Sequence, residues 1–291
     1  ACGATVAACT AVWSGVAAHG VNIAGGLHHA MPAAASGFCV YNDIALGISS
    51  LLDQGARRIL YVDLDVHHGD GVEKIFWNDP RVMTISLHQS GRTLFPGTGF
   101  AADTGGQRAP DSAVNVALPP GTDDAGWLRA IDAVVPALAG AFSPEVIVSQ
   151  HGCDSHHRDP LAAMDLTIEG MVAAYEWVHE LAHRHCDGRW VALGGGGYEL
   201  VSVVPRAWTH LIGIATHRPI QTTASTPQPW RDWVQQTCGF SGPTSMGDIG
   251  GAAVRFGSFV DGYDPEDAVD ASIMATRRAV FGGNGLDPYF D

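Results

Sequence analysis

Short apolar runs with little polar alternation recur along this chain, at Ile59–Val62, Val82–Leu87, Ala113–Leu118, Glu145–Gln150 and Trp190–Leu193. A strand that is apolar on both sides must be covered on both sides. Amphipathic stretches of helical period separate these runs. In Asn42–Gln54, Ile44, Leu46, Ile48, Leu51 and Leu52 supply one apolar side. In Leu166–His185, the residues Ile168, Met171, Val172, Tyr175, Val178, Leu181 and Ala182 form a stripe, with Thr167 as N-cap and Gly188 beyond the end. Asp123–Phe142 reads as a third long helix, with Pro136 as a kink point. Shorter helices are expected over residues 4–19, Gly71–Trp77 and Pro205–Ile214, and a short strand over Val21–Ala24. Strands alternating with helices give an α/β protein, with helices on both faces of a mostly parallel sheet. From about Thr216 the chain turns rich in Pro, Thr and Ser, which predicts a surface tail with one late helix near Pro265–Val280.

In open parallel sheets, ligands bind at the carboxyl ends of the strands. The unusual polar clusters of this chain all follow strands. Tyr61–Gly71, YVDLDVHHGDG, starts as a strand and turns abruptly polar. Period-two alternation would put Asp63, Asp65 and His67 on one side of it. Carboxylates and an imidazole side by side make a cation site, suited to zinc and also to iron, cobalt or manganese. N-capping by one Asp would account for neither the other carboxylates nor the His pair. The tandem His28-His29 follows the Gly25-Gly26 break, Ser86 to His88 ends another strand, Asp154 follows the strand ending at Gln150, and Tyr198 follows Gly194–Gly197. Together these residues describe metal-assisted hydrolysis of a carbonyl compound. Asp65, His67 and Asp154 hold a divalent metal with a position open for water. His28 and His29 act as an acid–base pair oriented by carboxylates such as Asp63 and Asp70. Tyr198 donates to a developing oxyanion.

Charge excludes other classes. The net charge is −14, and of the 16 basic residues only Lys74 is a lysine. The sole basic pairs are Arg57-Arg58 and Arg277-Arg278, so a nucleic-acid-binding face is not expected. No apolar run reads as long enough to span a bilayer, and the Ala-rich start has no Lys or Arg before Arg57, unlike a signal peptide. Six scattered cysteines without a C-x-x-C fit a reducing cytoplasm. The 291 residues suit one large domain or two smaller ones.

The motifs GGLHHA (Gly25–Ala30), SGFCVYND (Ser36–Asp43), YVDLDVHHGDG, SLH (Ser86–His88), FPGTG (Phe95–Gly99) and LGGGGY (Leu193–Tyr198) resemble those of the zinc-dependent histone deacetylase superfamily, and in the same order. With HGCDSH (His151–His156), the wording is most similar to the bacterial acetoin-utilisation deacetylases. The resemblance runs from about Thr5 to Ile214. It implies an arginase–deacetylase fold, a three-layer αβα arrangement, and hydrolysis of an N-acetyl amide to amine and acetate. It implies a catalytic domain over residues 1–215 and an extension over 216–291 packed on its surface. It implies Zn²⁺, or Fe²⁺, on Asp65, His67 and Asp154, with His28, His29, Tyr198, Asp63 and Asp70 as the catalytic set. Gly37, Phe38, Phe95, Leu161 and Gly196 would line a tunnel for the acyl-lysine stem. Structural K⁺ would sit at Asp63, Asp65, His67, Ser86 and Leu87, and a second near Phe76, Asp79, Val82 and Ser112. The implied substrate is acetyl-lysine on a metabolic protein such as an acyl-CoA synthetase. The alternatives are a small-molecule deacetylase for acetylpolyamines and, with no catalytic position replaced to favour it, a non-catalytic acyl-lysine reader. The family's N-terminal strands, and a loop with an acidic residue that grips the substrate backbone, have no counterpart here, so the fold is expected to lack its N-terminal part. The insert His156-His157-Arg158 reads as exposed loop residues beside the tunnel mouth.

Overall fold

The apolar runs become neighbouring strands. In the computed structural model, which describes residues 1–291, a parallel sheet of six strands has the order β1-β6-β5-β2-β3-β4. The strands are β1 (His19–Asn22), β2 (Ile59–Asp63), β3 (Val82–Gln89), β4 (Ala113–Leu118), β5 (Val146–Gln150) and β6 (Trp190–Leu193). Their alternation is that of doubly covered strands. Leu60, Val62, Ile147, Trp190 and Ala192 enter one core layer, whereas Ile59, Tyr61, Val146, Val148, Val191 and Leu193 enter the other. Helices α1 (Cys2–Trp13), α2 (Asp43–Asp53) and α3 (Asp70–Phe76) supply the second layer. The first is filled by α4 (Asp124–Phe142), α5 (Ile168–Cys186), α6 (Val204–Ala215) and α8 (Ala268–Val280). This is the expected three-layer α/β architecture, with every strand parallel.

Local chemistry sets the helix starts. The Asn42 side chain accepts the Ala45 N–H, Asp123 accepts that of Gly126, and Thr167 accepts that of Gly170. Helix α4 runs on through Pro136. By length and composition it could cross a membrane, contrary to the sequence expectation that no run could. Here its apolar side, with Trp127, Leu128, Ile131, Val134 and Leu138, lies in the core.

The sheet reverses direction between β2 and β5. From β2 the chain proceeds outward to β3 and β4, and from β5 to β6 on the other side. Loops that diverge from adjacent strands open a crevice at their carboxyl ends. The loop after β2 carries Asp65 and His67, and the loop after β5 carries Asp154.

The chain beyond Thr216 does not lie wholly outside. It contains α8 and also α7 (Gln228–Cys238), which no sequence signal had indicated. Ile273, Met274, Val280 and Phe281 share the core layer of the sheet, and the Thr276 hydroxyl donates to the carbonyl of Asn115 in β4. A second attachment centres on Asp248. Its carboxylate takes the Arg206 guanidinium at 2.8 Å, the His156 ring at 2.8 Å and the Ile168 N–H at 2.9 Å. Asp248→Ala would leave the Arg206 charge, with only 3% of its side chain exposed, without its partner. Removing one member of a buried ion pair costs about 3–5 kcal/mol. We expect a lower urea midpoint, with a loss of roughly 3 kcal/mol because Asp248 itself is partly exposed. A midpoint equal to that of the wild type would show that the Asp248 contacts contribute nothing to holding the 216–291 segment.

Candidate active site and metal centre

Strand β2 ends at Asp63, so Asp65 and His67 lie past the strand rather than continuing its alternation. They still meet. His67 Nδ1 is 3.0 Å from Asp65 Oδ1 and 3.1 Å from Asp154 Oδ2. All three side chains are buried. The oxygens that do not converge are held from behind. Asp65 Oδ2 accepts the Gln150 amide and the Gly196 N–H, each at 2.7 Å, and Asp154 Oδ1 accepts the Val66 N–H at 3.0 Å. One imidazole nitrogen cannot donate a single proton fully to two carboxylates. Burial and the nearby Asp65 charge push the Asp154 carboxyl up to about 7. Two buried carboxylates and an imidazole aimed at one point are the donor set of a divalent cation, so these residues fit zinc or iron.

The histidine pair lies alongside. His28 Nδ1 donates to Asp63 at 2.8 Å, and His29 Nδ1 donates to Asp70 at 2.7 Å. The two Nε2 atoms are 3.0 Å apart. Burial opposes charge on His28, but the Asp63 and Asp65 carboxylates outweigh it and lift the ring to about 9. Burial and then the charge on His28 push His29 down. Equivalent-looking neighbours thus separate into a cation and a neutral base. Burial and the carboxylates of Asp154 and Asp65 push the Tyr198 phenol up, so it keeps its proton.

Glycines permit these approaches. A Cβ on Gly196 would collide with Asp154 Oδ2, and one on Gly37 would enter the His29 ring. Gly37 and Phe38 both have positive φ, at 51° and 66°. That turn leaves Phe38 85% exposed, at the rim rather than in the core. Its ring is 6.0 Å from Tyr198, and the Phe95 ring is 5.0 Å from His29. Leu161 is also exposed, and its N–H bonds the same Asp159 carboxylate that accepts the Tyr198 N–H.

The structure therefore brings together His28, His29, Asp63, Asp65, His67, Asp70 and Asp154, with Tyr198, Phe38, Phe95 and Leu161 toward the outside. It does not bring His88 in. That ring lies between Ser86 Oγ and the Gly99 carbonyl and anchors the loop after β3. Asp63 and Ser86 are register partners at the first expected potassium position. At the second, the Asp79 carboxylate is taken by Arg81. His156 is buried on Asp248, a correction to its reading as an exposed loop residue, whereas His157 and Arg158 are exposed. Sequence reading missed Gln150, Asp159, Tyr61 and Asp43. The Tyr61 hydroxyl donates to Asp63 at 2.7 Å, and Asp43 accepts the N–H groups of Gly26 and Leu27 and so shapes the turn before His28. Gln150 and Tyr61 lie in apolar strands, Asp43 beside a helix cap and Asp159 in the loop after Asp154, where composition gives no signal for a supporting role.

Comparison with known proteins gives concordant matches. The Histone deacetylase domain model matches residues 1–215. The acetoin utilization protein AcuC of Bacillus subtilis (strain 168) is 40% identical over 246 residues, which are 84% of this chain and 63% of that protein. The Staphylococcus xylosus protein of the same name is 36% identical over 238 residues, 81% of this chain and 61% of the relative. The chain thus spans about three fifths of the length of these relatives. The crystal structure of the HDA15 HD domain superposes with a TM-score of 0.66 at 31% identity, covering 73% of this chain and 61% of that one. The chain belongs to the histone deacetylase domain family.

Proposed function

We propose that this protein hydrolyses an N-acetyl amide with the help of a divalent metal, its substrate being acetyl-lysine on a metabolic protein such as an acyl-CoA synthetase. The observation that carries the reading is the convergence of Asp65, His67 and Asp154 beside a histidine pair split into charged and neutral members. The catalytic residues lie within 1–215, the span of the family match. Zn²⁺, or Fe²⁺, held by those three residues would supply Lewis-acid polarisation of the acyl carbonyl and of the attacking water. The protein's own groups do the rest. His29, neutral and steadied by Asp70, takes the proton from the attacking water. His28, kept charged by Asp63, stabilises the negative charge that develops beside it. Tyr198 donates its phenolic proton in a hydrogen bond to the acyl oxygen. The resulting His29 imidazolium then protonates the leaving amine. The apolar rim of Phe38, Phe95 and Leu161 suits the aliphatic stem of an acyl-lysine and excludes water around it. Structural K⁺ beside Asp63, Ser86 and Leu87 belongs to the same proposal. So does a cytoplasmic setting, supported by the six unpaired cysteines.

The test is hydrolysis of acetyl-lysine peptides, with acetylated polyamines in parallel, by the wild type and by Tyr198→Phe. The variant keeps the ring and loses the donor. Removing one oxyanion donor costs roughly 10²–10³ in kcat, about 3–4 kcal/mol. KM should change far less, because that hydrogen bond strengthens only in the transition state. Retention of acetyl-lysine binding without turnover in the metal-loaded wild type would overturn the hydrolytic reading in favour of a reader. Turnover of acetylpolyamines alone would overturn the substrate.

A further inference from the structure

At the start of the edge strand β1, away from the carboxyl ends of β2 and β5, four histidines meet. His19 is the first residue of β1 and pairs in register with Trp190, the first of β6. His179 and His183 lie on α5, and His217 follows the end of α6. Every pair among the four rings has a centroid separation between 4.6 and 5.5 Å, so they stand as a tetrahedron. One ring nitrogen from each lies within 4.8 Å of the others.

Two further observations point to a ligand. His19 Nδ1 donates to the Ala215 carbonyl at 2.7 Å, which fixes the tautomer and leaves Nε2 as a bare lone pair. That Nε2 is buried and has no hydrogen-bond partner. A metal-binding imidazole is characteristically held this way, its distal N–H given to a backbone carbonyl. The second observation is spacing. His179-Glu180-Leu181-Ala182-His183 places two imidazoles one turn apart on the same helix face. Their Nε2 atoms are 3.1 Å apart, close to the ~3.3 Å edge expected for two nitrogens bound tetrahedrally at about 2.05 Å.

We propose that His19, His179, His183 and His217 form a second metal site, a closed four-imidazole site for a borderline divalent ion such as Zn²⁺. With four protein ligands no position is left for water, so the site is structural rather than catalytic. Glu180 points to solvent and takes no part. The ion would pin the start of β1, the last turns of α5 and the chain leaving α6. An all-imidazole set favours zinc, copper, nickel or cobalt over magnesium or calcium.

The experiment is Zn²⁺ titration of the metal-stripped full chain, with stoichiometry read by elemental analysis after desalting and stability by thermal melting. Wild type should bind two ions per chain. His183→Gln/His217→Gln, at two exposed positions, should bind one, and should lack the upward shift of a few degrees that the second equivalent gives the wild type. Asp154→Asn should also bind one, at the histidine site. Co²⁺-loaded Asp154→Asn should show the visible absorption of a tetrahedral nitrogen site, which decides the matter even if the histidine variant fails to fold. Wild type with one ion and Asp154→Asn with none would overturn this inference and leave the catalytic metal standing. The reverse pattern, with Asp154→Asn binding as many ions as the wild type, would count against the catalytic metal alone.

Discussion

Asp154→Asn is expected to abolish the proposed deacetylation and to empty the proposed metal site, while the protein stays folded. Asn fills the same space and can still accept the Val66 N–H, so packing is preserved. What goes is one of two buried negative charges, and a neutral amide is a poor partner for a divalent cation. In the metal-free protein that charge is a burden, since burial and Asp65 push the Asp154 carboxyl up to about 7. The same cluster sets a pH dependence. His28 and His67 are raised from 6.5 to about 9 and about 10 in the folded, metal-free chain. Their contribution to stability is fully present below about 6.5 and is lost as pH rises through the folded values. A bound metal requires His67 unprotonated, so the loaded protein should be spared the His67 part of that loss, and metal affinity should rise with pH. Urea melts of loaded and stripped protein across this range check the sign. A stripped protein whose stability climbs from pH 7 to 10 would contradict it. Full activity in Asp154→Asn, or in the chelator-stripped wild type, would dispose of the metal mechanism.

The next largest effect belongs to the histidine pair. His29→Ala should lower kcat by roughly 10²–10⁴, the range for a positioned general base, with the metal retained. His28→Ala should cost less, because His28 acts through its charge and touches no transferring proton. The distinction rests on environment, since both rings are buried and each has an aspartate partner. His28 has two carboxylates, at 2.8 Å from Asp63 and 3.8 Å from Asp65, and holds its proton. His29 has one, and faces the cation that His28 has become. The pH–rate profile should be a bell, rising on the acid side as His29 loses its proton and falling on the alkaline side as His28, held charged by Asp63, loses its own. In His28→Ala the alkaline limb should disappear. If both single variants turn over within about threefold of wild type, far below the worth of a general base, the pair has no catalytic role.

How much of this was legible beforehand differs by level. The central strand positions were readable because strands buried on both faces must be apolar throughout, and Ala113–Leu118 and Trp190–Leu193 have the bounds read from sequence, whereas the edge strand β1 runs His19–Asn22 instead of Val21–Ala24 and α1 stops at Trp13, because a half-buried edge carries no such apolar run. Helix starts were readable where a side chain caps them, as at Thr167. The candidate site was readable because polar residues at the carboxyl end of an apolar strand have few structural uses. The limits are equally physical. The alternation extended through His67 failed because β2 ends at Asp63. Helix α7 was missed because it is short and mostly polar, with only Trp230, Trp233 and Val234 as a brief apolar stripe, of which Val234 alone is buried.

By itself the sequence determined the layered α/β class, the family and which polar residues follow the strands, Asp65, His67, Asp154, His28, His29 and Tyr198 among them, because these depend on residue type and local order. Only the tertiary structure decided which contacts form across distant segments. It set the parallel order that makes β2 and β5 neighbours, so that Asp65 meets a residue far along the chain. It divided His28 from His29 by placing Asp65 nearer the first. It buried Arg206 and His156 on Asp248, and it gathered His19, His179, His183 and His217 from three elements into one tetrahedron. Burial and charge act through space, and distances between segments are fixed only when the whole sheet has formed.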